Sequence, residues 1–294
     1  MKDVESVFTR YEEVRPRLPH AVETGGTQEI GSLLDLIGDA DAFVFDAFGV
    51  LNVGDTPIEG ASERLDGLRA AGCQIRILTN AASYDRTGAV QKFKSLGMRV
   101  QPEEIITSRD ATIRHLDDRR WGCIAANDDA LDDVVRSAYR LTDDVRGYQQ
   151  ADGILFLSTA DWSDRRQKLL EEALRSRARP VLIANAHLVA PRDDGFSLEP
   201  GFYGHALIDR GHDDVRFFGK PFPEVYTMIE DTLPGLPGER IVMCGDTLHT
   251  DILGATARGW TTALITRDGL FAGADTKEYC ARSGIHPTVR MSRI

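Results

Sequence analysis

The sequence predicts an α/β fold in which a parallel sheet is interrupted by an inserted second unit. Two observations carry this reading. Short apolar runs rich in β-branched and aromatic residues alternate with helical patterns of about ten residues or more, which is the rhythm of βαβ units. That rhythm breaks near the middle of the chain, restarts with strands of its own, and then resumes. The length agrees, because 294 residues, 42% of them hydrophobic, exceed what one core usually organises.

Residues 1–40 form a polar, mostly helical lead-in whose role the pattern does not reveal. The first clear strand is AFVF at 42–45, followed by a glycine-bearing turn, Pro57 and an amphipathic helix over 59–71. Strand QIRIL at 74–78 comes next. Ser83 is placed to cap the following helix, where Val90, Phe93 and Leu96 keep helical spacing until Gly97 stops it. Strands at 122–125, 153–157 and 181–184, with a charged helix around 165–175, make the second unit; Gly195 and Gly201 read as turn residues there. The first rhythm then returns with Val215-Arg216-Phe217-Phe218, a helix after Pro223, strand 240–244, a helix over 249–258 and strand 261–265. The expected division is a lead-in at 1–40, a core of 41–117 plus 212–294, and an insertion at 118–211.

A net charge of −11 argues against nucleic-acid backbones and anionic membranes, which reward clustered Lys and Arg. Small ligands are the expected partners, and an anionic one needs local positive charge to overcome the global field. Cys73, Cys123, Cys244 and Cys280 lie far apart without a CxxC pair and read as reduced thiols. No apolar run approaches the ~20 residues of a membrane span, and the start lacks an apolar signal core, so the cytoplasm is the expected compartment.

Three apolar strands stop abruptly at polar residues: AFVF at Asp46, IRIL at Thr79 and Asn80, and IVMCG at Asp246. In open parallel sheets ligands bind outside the carboxyl ends of the strands, so Asp46, Thr79 and Asp246 are expected to meet. One aspartate after a strand is ordinarily a helix cap or turn former. Several such features in order are hard to read as independent caps. Two carboxylates meeting there, with Asp251 five residues beyond Asp246, repel unless a cation lies between them or one keeps its proton. Oxygen donors without a nearby Cys or His pair favour Mg²⁺ over Zn²⁺, and Mg²⁺ shares its sphere with substrate phosphate. The Gly219-Lys220-Pro221 turn adds a point charge suited to phosphate and to the nucleophile.

These residues resemble the haloacid dehalogenase (HAD) superfamily: FDAFGVLN, ILTNAAS, FFGKPFPEVY and CGDTLHTDILGATARGW stand for its four motifs. The segments LIANAHLVAPRDDG and LEPGFYGHAL resemble the α/β cap of its class IIA branch, which includes p-nitrophenyl-phosphatase-like and sugar-phosphate phosphatases. The resemblance implies a Rossmann-like parallel sheet core with an inserted α/β cap domain, and a phosphatase acting on a small phosphorylated metabolite. It makes Asp46 the nucleophile that forms an aspartyl-phosphate. Mg²⁺ is then held by Asp46, the carbonyl of Phe48 and Asp246, with Asp251 in support. Thr79 and Lys220 bind the phosphoryl group, and Lys220 also restrains Asp46. Asn80 matches its family position, whereas Ala81 replaces a frequent second asparagine. Asn185, His187, Arg192 and Tyr203 are cap candidates for the substrate's other end. A homodimer is compatible with the branch, with Trp121 and Trp162 as candidate cap-to-cap contacts.

One departure matters. Phosphatases of this superfamily usually carry a second aspartate two residues after the nucleophile, where this chain has Phe48. A positioned acid/base is worth roughly 10²–10⁴ in rate, about 3–5 kcal/mol, so esters with poor leaving groups become harder substrates. Either the substrates carry good leaving groups, as aryl or acyl phosphates do, or an acid is borrowed from elsewhere, with His249 and His187 as the candidates. The rival readings are a metal-independent dehalogenase, whose Asp-Ala-Tyr-Gly run the first motif also resembles, and a catalytically silent phospholigand-binding protein.

Overall fold

The computed structural model describes residues 3–20, 22, 25–192 and 195–294. Its main sheet has seven strands in the order Gln28–Glu29, Val289–Met291, Thr261–Ile265, Ile241–Gly245, Ala42–Phe45, Gln74–Thr79 and Ile105–Thr107. All neighbouring pairs are parallel. Phe43 and Phe45 of the central strand face one core cluster while Ala42 and Val44 face another. A strand covered on both faces must be apolar throughout, which is why AFVF shows no alternation.

From this centre the chain winds first toward Ile105–Thr107 and later, after the insertion, to the opposite side through Ile241–Gly245. The direction therefore reverses between Ala42–Phe45 and Ile241–Gly245, where a crevice opens outside the carboxyl ends. Asp46 and Asp246 are the first residues beyond those two ends.

The second sheet has five parallel strands, in the order Val215–Phe217, Val181–Ile183, Gly153–Phe156, Trp121–Ile124 and Tyr139–Arg140. This corrects the division expected at residue 212. Val215–Phe217 does not rejoin the main sheet; it pairs with Val181–Ile183, and Phe217 packs in one cluster with Ile183 and Leu207. A three-residue strand carries no local mark of the sheet it will join. Helix Asp164–Ser176 covers this sheet with Leu170, Ala173 and Leu174.

An antiparallel hairpin, Val189–Arg192 with Gly195–Leu198, leaves the second sheet, and Asp193 and Asp194 of the expected cap segment lie outside the described residues. Gly195 takes φ +128 in that hairpin, but Gly201 is no turn residue. It sits in helix Pro200–Asp209, where an added Cβ would lie 2.3 Å from the Ala186 carbonyl oxygen. Neither tryptophan is a bare surface ring. Trp121 is buried, and Trp162 packs against Phe156 and Tyr203. Asp85 rather than Ser83 caps helix Arg86–Ser95, its carboxylate accepting the Gly88 N–H at 2.7 Å. All four cysteines are free and buried, and among the described residues no helix is long and apolar enough to cross a membrane.

The lead-in, unreadable in sequence, is a brace. Helix Val4–Val14 begins with an Asp3–Ser6 capping box and buries Val7, Phe8, Tyr11 and Val14. Glu5 pairs with Arg282 at 2.5 Å on the main unit, while Arg17 pairs with Asp209 at 2.6 Å on the inserted one. Gln28–Glu29 then adds an edge strand to the main sheet.

Candidate active site

Asp46 donates its backbone N–H to the Cys244 carbonyl at 2.9 Å, which extends the ladder one residue past the strand and fixes where its side chain leaves the sheet. Its Oδ1 accepts the Ala47 N–H at 2.7 Å and pairs with Lys220 Nζ at 2.6 Å. Lys220 also pairs with Asp251 Oδ1 at 2.7 Å. Asp246 accepts the Leu270 N–H at 2.6 Å and the Thr247 hydroxyl at 3.1 Å. Oxygens of Asp46, Asp246 and Asp251 all lie within 4.8 Å of one another, and all three residues are buried.

Glycines make this crowding possible. A Cβ at Gly269 would sit 2.2 Å from Asp246 Oδ2, and one at Gly49, where φ is +77, would sit 2.7 Å from the same atom. A Cβ at Gly245 would come within 2.1 Å of the Asp251 Cβ. Asp251 stands on a π-helical turn, Leu248–Ile252, rather than the α-helix expected from residue 249; such a local irregularity is common at functional sites.

Three carboxylates face a single ammonium. Burial pushes the Asp246 carboxyl far above the usual carboxylate range, and the charges of Asp251 and Asp46 push it further. Burial likewise raises Asp251, against the opposing pull of Lys220. Burial works against the Lys220 charge, yet Asp251 and Asp46 together hold its pKa above the ordinary value. This buried oxygen cluster with surplus negative charge fits a hard divalent cation.

Asp46 and Asp246 of the cluster lie on the floor of a cavity of about 170 Å³ bordered by Thr79, Phe48, His187, Arg192 and Glu199 among others. Thr79 is buried and its Oγ1 accepts the Ala81 N–H at 3.1 Å, so the hydroxyl proton remains to be donated. Asn80, which the resemblance also makes a candidate for substrate binding, borders the cavity with its amide engaged by Lys220. Its Oδ1 accepts the Lys220 N–H at 2.7 Å and its Nδ2 donates to the Lys220 carbonyl at 2.9 Å, so its amide positions the lysine. Phe48 presents its ring to two cations, Lys92 Nζ at 5.1 Å and Arg192 Cζ at 5.8 Å from the centroid.

On the roof, Asn185 Oδ1 accepts the His187 N–H at 3.0 Å, and Asn185 Nδ2 donates to Glu199 Oε2 at 3.1 Å. His187 borders the cavity, but burial, seconded by the Lys220 charge, lowers its pKa to about 3 and keeps it neutral. His249 does not reach the cavity. It is buried between Phe8 and Tyr11, stacked on Tyr11 at 4.8 Å, with Nε2 2.5 Å from Glu12 Oε1. Tyr203, expected to touch substrate, packs in the ring cluster of the second sheet. Tyr11 and Glu199 border the cavity and were not anticipated. A tyrosine in a polar lead-in and a glutamate before Pro-Gly carry no local signal of a site.

Two family models match, one described as haloacid dehalogenase-like hydrolase over residues 43–139 and one as HAD-hydrolase-like over 217–289. Among curated proteins, phosphoglycolate phosphatase 1A, chloroplastic, of Arabidopsis thaliana is 39% identical over 90 residues, which is 31% of this chain and only a quarter (25%) of that protein. Haloacid dehalogenase-like hydrolase domain-containing protein 2 of Rattus norvegicus is 27% identical over 245 residues, 81% of this chain and 88% of that one. A possible sugar phosphatase of Cytophaga hutchinsonii has the same fold, with TM-score 0.80, 24% identity and coverage of 90% and 97% of the two chains. So has a glycerol phosphate phosphatase of Mycobacterium tuberculosis solved with magnesium, with TM-score 0.64, 22% identity and coverage of 80% and 69%.

Proposed function

This chain belongs to the haloacid dehalogenase-like hydrolases, and from that membership we propose that it is a Mg²⁺-dependent phosphohydrolase acting on a small phosphorylated metabolite through an aspartyl-phosphate on Asp46. The observation that carries the reading is the gathering of Asp46, Asp246 and Asp251 around Lys220, with Asp46 and Asp246 opening onto one cavity. The magnesium bound to the mycobacterial phosphatase of like fold, and the names of the relatives, support the metal and the reaction class.

Both contacts of the Asp46 carboxylate fall on Oδ1, which leaves Oδ2 as the attacking atom. Lys220 fixes that orientation and, with the Thr79 hydroxyl, faces the phosphoryl oxygens. Mg²⁺, held by Asp46, the Phe48 carbonyl and Asp246 with Asp251 behind, would neutralise charge on those oxygens when bound. Asp46 Oδ2 bonds to phosphorus as the ester oxygen leaves; water then breaks the Oδ2–P bond, releasing phosphate and restoring the carboxylate. The roof formed by Asn185, His187 and the hairpin restricts water and chooses substrates.

Release of p-nitrophenol from its phosphate ester in Mg²⁺, with loss of turnover in EDTA, is the expected result, run beside 2-chloropropionate. Halide release that EDTA leaves untouched would assign the dehalogenase chemistry instead. Silence toward both compounds would leave a phospholigand-binding protein.

A further inference from the structure

The proposed reaction lacks an acid at residue 48, and among the described core residues no carboxyl or imidazole is free to replace it: Asp246 and Asp251 are tied to Leu270, Thr247 and Lys220, and His249 lies elsewhere. The roof supplies one. Resting on the phosphohydrolase reading, we propose that Glu199 donates the proton to the leaving-group oxygen and later takes one from the attacking water, in place of the acid that Phe48 displaces.

Glu199 borders the same cavity as Asp46 and is 8% exposed. It is the N-cap residue of helix Pro200–Asp209, yet its side chain makes no capping bond. The carboxyl turns away from its own helix and is held by the roof instead. Oε1 accepts the Ser197 hydroxyl at 2.7 Å and lies 3.4 Å from Arg192 Nη2, while Oε2 accepts Asn185 Nδ2 at 3.1 Å. Oε1 thus faces two donors and Oε2 one, so Oε2 keeps a position for a proton. Three partners on two strands and a loop fix the rotamer of a flexible side chain, which a proton donor needs.

Burial raises the Glu199 carboxyl, with Ser197 and Arg192 pulling the other way. Among the described residues, Tyr11 and Tyr203 also feel Glu199: burial raises the pKa of each, and the negative charge of a Glu199 carboxylate adds to it. Tyr11 therefore holds its proton too tightly to be the acid, and neutral His187 has no imidazolium proton to give. A carboxyl that burial makes hold its proton more tightly than usual, aimed into the cavity by three fixed partners, suits a group that must give a proton and take one back.

The atoms balance. As Asp46 Oδ2 bonds to phosphorus, the P–O bond of the ester breaks, its electron pair goes to the leaving oxygen, and that oxygen takes the Glu199 proton. In the second half, water bonds to phosphorus, gives a proton to the Glu199 carboxylate, and the P–Oδ2 bond breaks. Glu199 ends as it began.

The test compares native enzyme with Glu199→Gln, in Mg²⁺, on phosphate monoesters graded from p-nitrophenol to a simple alkyl alcohol as leaving group. The expected result is a loss of kcat of about 10²–10⁴ on the alkyl ester. On p-nitrophenyl phosphate, whose leaving group needs no proton, the initial burst of p-nitrophenol that accompanies phosphorylation of Asp46 should change by under about threefold, while steady turnover falls because the aspartyl-phosphate then lacks its base. Glu199→Asp, which keeps the carboxyl, should recover part of the alkyl-ester rate. An equal loss of the burst rate on both esters, a change confined to KM, or no loss at all would overturn the assignment to Glu199. A native enzyme that hydrolyses none of the esters would instead overturn the phosphohydrolase reading, which keeps the two failures apart.

Discussion

Asp46→Asn is expected to lower kcat on p-nitrophenyl phosphate by at least about 10⁴-fold, equivalent to ~5.5 kcal/mol of transition-state stabilisation. The amide keeps the shape of the carboxyl and an oxygen for the Ala47 N–H and for Lys220 Nζ, so the geometry around it survives. What disappears is the anionic oxygen that attacks phosphorus. The same change removes one negative charge from a buried cluster that holds too many, so the melting temperature in EDTA should stay level or rise. Loss of rate with retained stability marks a chemical role; loss of both would mark a structural one. Acid-quenched native enzyme should carry phosphate on the carboxylate and the variant none. A variant keeping a tenth of native turnover would place the nucleophile elsewhere.

The residues of that cluster were legible in sequence because a parallel strand buried on both faces reads as an unbroken apolar run, and its first polar residue then stands out. Asp46, Thr79 and Asp246 announce themselves this way, and the order of strands brings them together. Lys220 is legible through its Gly-Lys-Pro turn. Asn80 stands at the same strand end as Thr79, but its partner is not legible, because an amide can serve a ligand or a backbone with equal ease; here the Lys220 backbone takes both ends.

What stayed hidden depends on pairing between segments far apart in the chain. Val215–Phe217 has the composition of a core strand, and only its register with Val181–Ile183 assigns it to the other sheet. His249 looks like a site residue because it sits between Asp246 and Asp251, yet the helical turn carries it to the opposite side, against Glu12 and Tyr11 of the lead-in. The same helix brings the Tyr11 hydroxyl to accept the Leu188 N–H at 3.2 Å, so the brace reaches the roof of the cavity. None of these contacts is local in sequence.

Lys220→Met should destabilise the protein in EDTA by about 3–5 kcal/mol, because removing one partner of a buried ion pair leaves the other without compensation. Lys220 is fully buried, and its ammonium is shared by Asp46 and Asp251. Methionine has similar length and fills the same space, so the loss reads out charge rather than a cavity. Part of the loss will be absorbed by proton uptake, which gives it a pH signature. Asp246 and Asp251 already have raised folded-state values, so their ionisation works against folding. Stability from such groups is fully present below the ordinary carboxylate range and is lost as pH rises through the raised folded values. The metal-free variant should therefore melt progressively lower from acid toward alkaline pH, more steeply than the native chain. Mg²⁺ should restore more stability to the variant than to the native protein, since a cation takes over the neutralising role that the lysine fills. Adding Asp251→Asn should recover part of the loss, because removing both partners leaves fewer buried charges than removing one. Denaturant melts of the native chain, Lys220→Met, Asp251→Asn and the double variant in EDTA and in Mg²⁺ decide this: strictly additive losses, or a Lys220→Met stability that ignores both pH and Mg²⁺, would show that Lys220 is not the counter-charge of this cluster.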